Sequence, residues 1–246
     1  MKALILNSGT GSRMGDIKTC KCLVEIIKEK TIADEQIRRL IKCGIRDICI
    51  TTGPYADKLE DYLRNRYISI NFEFVHNPLY DKTNYIYSIF LAHEYFDKNK
   101  CNPDGIILMH GDLVFETELL RESIAYPHSC MTIDTTKPLP EKDFKAIIKN
   151  DKIKGVGVNF FNPAPFESIV YAQPLYKLTW RDWQIWLDEI CRFCQEDNTS
   201  VYAEDALNTV SEKMNLFPLD ARGRTCFEID NANDLAYARD VYKQCS

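Results

Sequence analysis

The chain has 246 residues, of which 45% are hydrophobic and 27% are charged, and its formal net charge is −5. This length and balance fit one globular α/β domain with a sizeable core and leave no compositional case for disorder. The acidic balance disfavours nucleic acid as the main partner, because a protein that binds a phosphate backbone needs a surplus of Lys and Arg. No apolar run has the length of a membrane span, so none is expected.

The ten cysteines do not follow a disulfide framework. Cys20 and Cys22 alternate beside lysines, Cys49 lies in an apolar run, and Cys191 and Cys194 lie in a helical stretch. The N-terminus runs directly into a strand-like segment, so we expect no secretory signal. We therefore expect a reduced, cytoplasmic protein.

Strands and helices alternate along the first third of the chain. Apolar runs predict buried strands, amphipathic spacing predicts helices, and Gly44 ends the first of those helices. The order strand–helix–strand–helix–strand implies right-handed crossovers and a largely parallel sheet. The predicted strands are Lys2–Leu6, Asp47–Thr51 and Asn71–Val75, an extended segment is predicted at Lys21–Ile27, and the predicted helices are Thr31–Cys43 and Ala56–Arg66.

The pattern changes in the second half, where Asn150-Asp151 separates two alternating runs in a way that is typical of a β-hairpin. The expected fold class is α/β: a Rossmann-like, mostly parallel mixed sheet flanked by helices, with a β-hairpin and helical insertion in the second half. Residues 1–135 are assigned to a nucleotide-binding core, 136–225 to an acceptor-binding insertion and 226–246 to a return to the core. The remaining predicted elements are the helices Ser88–Phe96, Trp180–Phe193, Tyr202–Val210 and Asn233–Lys243 and the strands Gly105–Met109, Cys130–Asp134, Phe144–Lys149, Lys152–Val158 and Cys226–Ile229.

A glycine-rich segment follows the first strand, with Gly9, Gly11 and Gly15 close to the cation Arg13. In doubly wound sheets ligands bind where the strands end, and glycines let backbone N–H groups approach phosphate oxygens. The spacing fits neither a Walker loop nor a dinucleotide fingerprint, because Met14 stands where the third glycine of the fingerprint belongs. Taken alone, this loop is equally compatible with a turn that binds nothing.

The run Leu6–Met14, followed by Lys21-Cys22-Leu23-Val24, resembles the signature of nucleotidyltransferases that act on sugar 1-phosphates and phosphocholine. That signature reads L-A-A-G-x-G-S-R-[LM], then a spacer and P-K-x-L-[VL]. Here Asn7-Ser8 replaces the Ala-Ala pair, Cys20 stands at the Pro position, and the spacer is shorter. The resemblance implies that Leu6, Asn7, Ser8, Gly9, Thr10, Gly11 and Ser12 bind the nucleotide and that Arg13 and Lys21 are catalytic cations.

Asn77–Ala92 is similar to the segment after the third strand in bacterial choline-phosphate and phosphonate cytidylyltransferases. Asn84 and Ser88 occupy the positions of an Asn and a Ser in that segment, which implies contacts to the nucleotide. An amide offers both a donor and an acceptor, which suits the edge of a pyrimidine or a ribose hydroxyl. Helix capping by Thr83 or Asn84 is the alternative interpretation.

Two aspartates match the metal ligands of the same family. Asp112 follows the predicted strand Gly105–Met109, and Asp230 follows the predicted strand Cys226–Ile229. Carboxylates are the protein ligands that Mg²⁺ prefers, so the resemblance implies Mg²⁺ as cofactor. Because side chains alternate along a strand, Glu228 is expected to point to the opposite face.

The acceptor pocket is expected in the variable second half of the chain. Aromatic rings together with carboxylates would suit a cationic head group. The apolar stripe of its helix favours a core position for Trp186, and for the other tryptophans pocket and core stay open. The candidate acceptor-binding residues are Lys145, Tyr176, Trp180, Glu204 and Asp205, and Tyr171 and Tyr202 lie nearby in sequence. Lys145 or Lys137 is the expected partner for the acceptor phosphate.

The resemblance implies transfer of CMP from CTP to phosphocholine, 2-aminoethylphosphonate or a similar small acceptor, with release of pyrophosphate. A UTP- or dTTP-dependent sugar-1-phosphate nucleotidyltransferase is the alternative within the same class. A dinucleotide-dependent oxidoreductase is disfavoured by the missing third glycine. An inactive binding domain is disfavoured because Arg13, Lys21, Asp112 and Asp230 are all retained. Oligomerisation is compatible with the sequence.

Overall fold

The computed structural model describes residues 1–11, 20–97, 104–139, 141–159 and 167–244. The strands are β1 Lys2–Asn7, β2 Glu25–Ile27, β3 Lys30–Thr31, β4 Asp47–Thr52, β5 Asn71–His76, β6 Gly105–His110, β7 Leu113–Phe115, β8 Ser129–Asp134, β9 Lys145–Lys149, β10 Lys152–Gly157, β11 Ser168–Thr179, β12 Leu216–Asp220 and β13 Cys226–Glu228. The α-helices are α1 Ile32–Lys42, α2 Ala56–Arg66, α3 Tyr85–Leu91, α4 Thr117–Ala125, α5 Trp180–Gln195, α6 Ala203–Val210 and α7 Ala232–Gln244. Among the described residues, none of the helices combines the length and the apolar character that a membrane crossing requires.

A mixed sheet forms the centre of the molecule, with the strand order β10-β9-β11-β6-β1-β4-β5 and with β8 and β12 joined to it through β11. β1 pairs in parallel with both β4 and β6, and β4 pairs in parallel with β5. β11 runs antiparallel to β6, β8 and β9. The prediction of an α/β fold with a mostly parallel sheet is confirmed, and the parallel strands place the carboxyl ends of β1, β4 and β6 at one edge.

Local hydrogen bonds explain where α1 begins and ends. The side chain of Thr31 accepts from the backbone N–H of Asp34 at 3.1 Å, and the carboxylate of Asp34 accepts from the backbone N–H of Thr31 at 2.9 Å. This capping box satisfies two N–H groups that the first turn of a helix leaves unpaired. The hydroxyls of Tyr62 and Tyr67 each donate to Asp34 at 2.6 Å. Gly44, with φ +80°, follows the last turn in the left-handed region that favours glycine.

The core has one apolar cluster on each face of the sheet, as the alternation of β1 shows. Leu4 packs in one cluster and Ile5 in the other. Trp183 and Trp186 are fully buried in the first cluster, where Trp183 packs edge-to-face against Phe96. The interpretation of Trp186 as a core residue is therefore confirmed.

Three departures from the predicted elements have local causes. The extended segment predicted at Lys21–Ile27 is wrong, because Lys21–Leu23 forms a 3₁₀ turn and the strand begins at Glu25. β11 was not predicted, since Pro174 interrupts its pattern; the ladder with β8 is irregular there. β12 also contains a proline, Pro218. Both strands belong to the central sheet, so the 136–225 region supplies part of it as well as the hairpin.

Candidate active site

Backbone segments approach one another closely at the carboxyl end of β1. The backbone N–H of Gly111 donates to the carbonyl of Leu6 at 2.9 Å. A Cβ on Gly111 would lie 1.8 Å from Oδ1 of Asn7, and a Cβ on Gly53 would lie 2.2 Å from the carbonyl oxygen of Ser8. The overlap at Gly53 is with backbone atoms, so only glycine fits there, whereas at Gly111 the side chain of Asn7 would have to move. The residues after β4 and β6 therefore lie close against the end of β1 and the loop that follows it.

Lys21 lies between two carboxylates that are far away in sequence. Its Nζ donates to Oδ2 of Asp112 at 2.6 Å and to Oδ1 of Asp230 at 2.7 Å. The 3₁₀ turn presents the lysine, the turn between β6 and β7 presents Asp112, and the chain after β13 presents Asp230. The backbone N–H of Ile229 donates to the carbonyl of Asp112 at 3.0 Å, which fastens the two acidic segments together.

The three charges stabilise one another in a partly buried setting, with 14%, 21% and 20% exposure of the side chains of Lys21, Asp112 and Asp230. Burial acts to lower the pKa of Lys21, but the attraction and hydrogen bonds of the two carboxylates outweigh it and raise the pKa. Burial acts to raise the pKa of Asp112, but the charges of Lys21 and His110 lower it overall. The site therefore favours the charged forms of Lys21 and Asp112.

Two adjoining cavities share this charged group. The first, of about 250 Å³, brings most of the predicted nucleotide loop together with the lysine and both aspartates, and its lining comprises Leu6, Asn7, Gly9, Thr10, Gly11, Cys20, Lys21, Gly111, Asp112 and Asp230. The second, of about 400 Å³, reaches Asp112 and Asp230 from the other side, and its lining includes Ser8, Asn84, Tyr85, His110, Phe144, Tyr202 and Glu228. Ser12 and Arg13 lie outside the described residues.

Ser8, Asn84 and Ser88 are held by a polar network behind the loop. The hydroxyls of Ser8 and Ser88 are 2.7 Å apart, and the amide of Asn77 donates to Ser88 at 3.0 Å. Ser88 is fully buried, so the structure places it behind the cleft surface, in contact with Ser8. Asn84 caps α3 by accepting from the backbone N–H of Tyr85 at 2.8 Å and also lines the second cavity. The capping interpretation is confirmed, and a contact to the nucleotide stays a prediction.

His110 and Glu228 belong to the site although the sequence did not single out either as a functional residue. Nδ1 of His110 lies 2.7 Å from Oε1 of Glu228. The expectation that Glu228 points to the opposite face is wrong: residues two positions apart along a strand share a face, and Glu228 lines the second cavity together with Asp230. Burial, together with repulsion from Asp112, raises the pKa of Glu228 to about 7. Burial opposes a charge on His110, but Glu228 raises its pKa to about 9.

The donor atoms fit a divalent cation. Oδ1 of Asp112 is buried and has no hydrogen-bond partner among the described residues, so it is an acceptor that the fold leaves unused. Potential ligand atoms of His110, Asp112 and Glu228 all lie within 4.8 Å of one another. Carboxylate oxygens are the ligands that Mg²⁺ prefers, and a Mg²⁺ site commonly completes its shell with substrate phosphates. Asp230 is not a member of this group of atoms; it is related to Asp112 through the hydrogen bonds that both aspartates accept from Lys21.

Residues 3–134, slightly more than half of the chain, match the sequence profile of the MobA-like NTP transferase domain. The chain belongs to this family. It is 34% identical over 126 residues to the CTP:phosphoglutamine cytidylyltransferase of Campylobacter jejuni, which covers 50% of this chain and 48% of that relative. It is 24% identical over 240 residues to the choline-phosphate cytidylyltransferase of Haemophilus influenzae, with 95% and 94% coverage. The chain thus spans about half the length of the Campylobacter relative.

Solved structures show the same fold over almost the whole chain. The CTP:phosphocholine cytidylyltransferase of Streptococcus pneumoniae superimposes with a TM-score of 0.74 at 18% identity and covers 98% of each chain. The second half of this MobA-like NTP transferase therefore follows the architecture of that protein as well, although the family profile ends at residue 134.

In this MobA-like NTP transferase, the residues predicted to bind the acceptor lie away from both cavity linings. Lys145 is buried, and its Nζ donates to the carbonyls of Asp143 at 3.3 Å and Val158 at 2.6 Å. Backbone oxygens therefore satisfy its ammonium group. The other four are placed in packing or capping roles: Tyr176 donates to buried Glu204 at 2.8 Å, Asp205 accepts from the N–H of Tyr202 at 2.9 Å, and Trp180 packs against the core.

The aromatic wall of the second cavity comes from other residues. Tyr202 packs against Phe144 with ring centroids 5.0 Å apart and against Tyr85 at 5.9 Å. The sequence contained two signals: the tyrosine in N-Y-I-Y-S, next to the matched Asn84, and Tyr202, which lies near the predicted acceptor-binding residues. Phe144 stands just before β9 and Tyr202 just before α6, so their convergence depends on the tertiary fold.

Proposed function

We propose that the protein is a cytoplasmic, Mg²⁺-dependent cytidylyltransferase that transfers CMP from CTP to a small phosphorylated or phosphonate acceptor and releases pyrophosphate. The observation that carries this proposal is the ion pair of Lys21 with both Asp112 and Asp230 at a glycine-lined cavity. A cation and carboxylates held in one cleft next to the glycine-rich backbone of Gly9–Gly11 suit a polyphosphate and its metal.

In the proposed reaction an oxygen of the acceptor attacks the α-phosphorus of the nucleotide. A new phosphorus–oxygen bond forms, the bond to the bridging oxygen of the β-phosphate breaks, and pyrophosphate leaves. Because the attacking oxygen is already anionic, no side chain has to remove a proton. Catalysis then depends on positioning and on neutralising charge. Lys21 supplies the cation beside the α-phosphate, and Arg13 is proposed to hold the β- and γ-phosphates.

The metal role follows from the same carboxylates. Asp112 and Asp230, with Glu228 beside them, would hold the ion, which when bound neutralises phosphate charge and orients both substrates. The chain's own contribution is to keep these carboxylates in place. Lys21 does so for both aspartates through the two hydrogen bonds at 2.6 and 2.7 Å, and its charge lowers the pKa of Asp112.

Two observations support the choice of substrates. The names of the relatives in Campylobacter and Haemophilus specify cytidylyl transfer to phosphoglutamine and to choline phosphate. The second cavity offers the rings of Tyr85, Phe144 and Tyr202 beside the carboxylate of Glu228. Such a wall can stabilise a positively charged group on a small acceptor.

The proposal is tested by measuring pyrophosphate release. The assay combines each of the four NTPs, and dTTP, with phosphocholine, 2-aminoethylphosphonate, phosphorylated amino-acid amides and sugar 1-phosphates. We expect turnover with CTP and an amine-bearing acceptor, loss of turnover in EDTA, and recovery with Mg²⁺. Asp112→Asn should remove turnover, whereas the exposed Asp240→Asn should leave it intact. No turnover with any pair would contradict the proposal, and turnover confined to UTP or dTTP with a sugar 1-phosphate would favour the alternative substrate class.

A further inference from the structure

Two thiols flank the lysine of the proposed active site. The Sγ atoms of Cys20 and Cys22 are 3.1 Å apart and share a hydrogen bond. A disulfide has a sulfur–sulfur distance of about 2.05 Å, so bond formation requires a movement of about 1 Å. Both thiols are buried in the same apolar cluster, with Cys20 4% and Cys22 1% exposed, but only Cys20 lines the first cavity. Cys20 is therefore the thiol that borders the cleft, and Cys22 is within reach of it.

Cys20 also differs electrostatically from the other described cysteines. The hydrogen bond with Cys22 lowers the pKa of Cys20, although burial acts in the opposite direction. In the other seven described cysteines, burial raises the pKa. The thiolate is the reactive form of cysteine, so among the described cysteines Cys20 is the one that the fold favours as a nucleophile.

We propose that Cys20 and Cys22 form an oxidative modification site whose co-substrate is a small hydroperoxide and whose closure to a disulfide switches off Lys21. The sulfur of Cys20 attacks one peroxide oxygen, the O–O bond breaks, and Cys20 becomes a sulfenic acid while water leaves. The sulfur of Cys22 then attacks the sulfur of Cys20, the S–S bond forms, and a second water leaves. The two thiols thus lose two electrons and two protons, and hydrogen peroxide is reduced to two waters.

The disulfide would act on Lys21 because the lysine is the one residue inside the new ring. Two backbone hydrogen bonds hold the 3₁₀ turn around this lysine. The N–H of Leu23 donates to the carbonyl of Cys20 at 2.9 Å, and the N–H of Val24 donates to the carbonyl of Lys21 at 3.1 Å. A movement of about 1 Å in either flanking side chain shifts this turn. Hydrogen bonds of 2.6 and 2.7 Å to the two aspartates do not survive such a shift.

The disulfide is detected from the masses of tryptic fragments, so the experiment does not depend on enzymatic activity. The full-length protein is treated with hydrogen peroxide, its remaining thiols are blocked with N-ethylmaleimide, and it is digested with trypsin without reductant. Cleavage after Lys18, Lys21 and Lys28 gives fragments 19–21 and 22–28. We expect them to stay linked, or the uncut 19–28 fragment to be two hydrogens lighter, until dithiothreitol is added. Cys20→Ser and Cys22→Ser should each abolish the product, and Cys191→Ser should retain it.

The effect on turnover rests on the proposed function. Each variant is compared with its own untreated sample, and peroxide should lower wild-type pyrophosphate release by on the order of 100-fold, as expected when one electrostatic stabiliser is lost. Dithiothreitol should restore it, and Cys22→Ser should resist the loss. Absence of the linked product, an unchanged rate after linkage, or equal inactivation of Cys22→Ser would each overturn the inference. An untreated protein without turnover would contradict the proposed function instead, and the fragment masses would still decide the disulfide.

Discussion

Tyr85 donates a hydrogen bond to Glu204, which lies 119 positions later in the chain. The carboxylate of Glu204 is 2% exposed and also accepts from Tyr176 at 2.8 Å. The ring of Tyr85 contacts that of His110 edge-on, with centroids 4.8 Å apart, and it lines the second cavity. A buried carboxylate on α6 therefore fixes the orientation of one ring in the aromatic wall of the proposed acceptor pocket.

Tyr85→Phe keeps the ring and removes the hydrogen bond to Glu204. We expect the KM for the acceptor to rise severalfold while kcat changes little, because the ring is still present but less well oriented. The free energy of unfolding should fall by about 1–2 kcal/mol, since a buried carboxylate loses one of its donors. Initial rates at varied acceptor concentration and urea unfolding measure the two effects.

Tyr176→Phe is the matched control, because Tyr176 donates to the same carboxylate but is 1% exposed and lines neither cavity. We expect a comparable loss of stability with an unchanged KM. An equal rise of KM in both variants would show that the effect is a general loosening of the fold.

Lys21→Met removes the ammonium group from between Asp112 and Asp230. We expect turnover to fall by about 100-fold, because the proposed stabiliser of the α-phosphate is lost. The affinity for Mg²⁺ should rise, since two carboxylates that Lys21 now neutralises would face each other without a cation. Titration of the melting temperature with MgCl₂ should therefore give a larger increase for this variant than for the wild type.

The exposed Lys28→Met serves as the control for Lys21→Met, because it removes the same charge outside the cavities. Its turnover and its response to MgCl₂ should match the wild type. A Lys21→Met protein with normal turnover, or one that responds to MgCl₂ no more strongly than Lys28→Met, would contradict the assigned role.

The ordered motifs of the chain predicted the first cavity well. Gly9, Gly11 and Lys21 are close in sequence, and the strand ends that carry Asp112 and Asp230 follow from the expected sheet. The second cavity could not be predicted in the same way. Its wall joins Phe144 and Tyr202, whose contact depends on how β9 and α6 pack in the finished fold.

The other differences have separate causes. Glu228 was expected on the far face from Asp230, but strand residues two positions apart share a face, and both residues line the second cavity. Lys145 carries a charge in a hairpin, which suggests a solvated or ligand-binding side chain, yet its Nζ is surrounded by carbonyl oxygens. Which backbone carbonyls lie next to a given side chain depends on the tertiary fold and does not follow from the order of residue types.

His110 should make stability depend on pH through its pair with Glu228. Its pKa is raised from 6.5 to about 9, with the attraction of Glu228 outweighing the opposing effect of burial. Because the folded state binds the proton more tightly than the unfolded state, this stabilisation is lost as the pH rises through about 9, and since the pKa of Glu228 is about 7, the ion pair also weakens below that value. The melting-temperature difference between wild type and His110→Gln should therefore be largest near the lower value and shrink towards the higher one.

Glu228→Gln tests the cause of that pH dependence. This variant keeps the imidazole but removes the carboxylate that holds its proton, so it should reduce the same pH-dependent part of the stability. A constant difference between wild type and His110→Gln across the range would show that the histidine does not titrate there.

Gly53→Ala should destabilise the fold at the junction of β4 and the nucleotide loop. A Cβ at this position would lie 2.2 Å from the carbonyl oxygen and 2.9 Å from the carbonyl carbon of Ser8. These are backbone atoms, so no side-chain rotation relieves the overlap, and the loop after β1 has to move. We expect a loss of about 1–3 kcal/mol, as for other overpacked sites. For a domain of this size, each kcal/mol lowers the melting temperature by about 2–4 °C.

Gly9→Ala is the matched comparison for Gly53→Ala, since a Cβ on Gly9 would meet no atom within 4 Å. Its melting temperature should stay close to the wild-type value even though Gly9 lines both cavities. Isothermal titration with CTP separates the two variants further. Gly53→Ala shifts the Ser8 backbone, so it should weaken CTP binding as well as the fold. Equal melting temperatures for the two variants would show that the loop after β1 and the residues after β4 are not held in contact in solution.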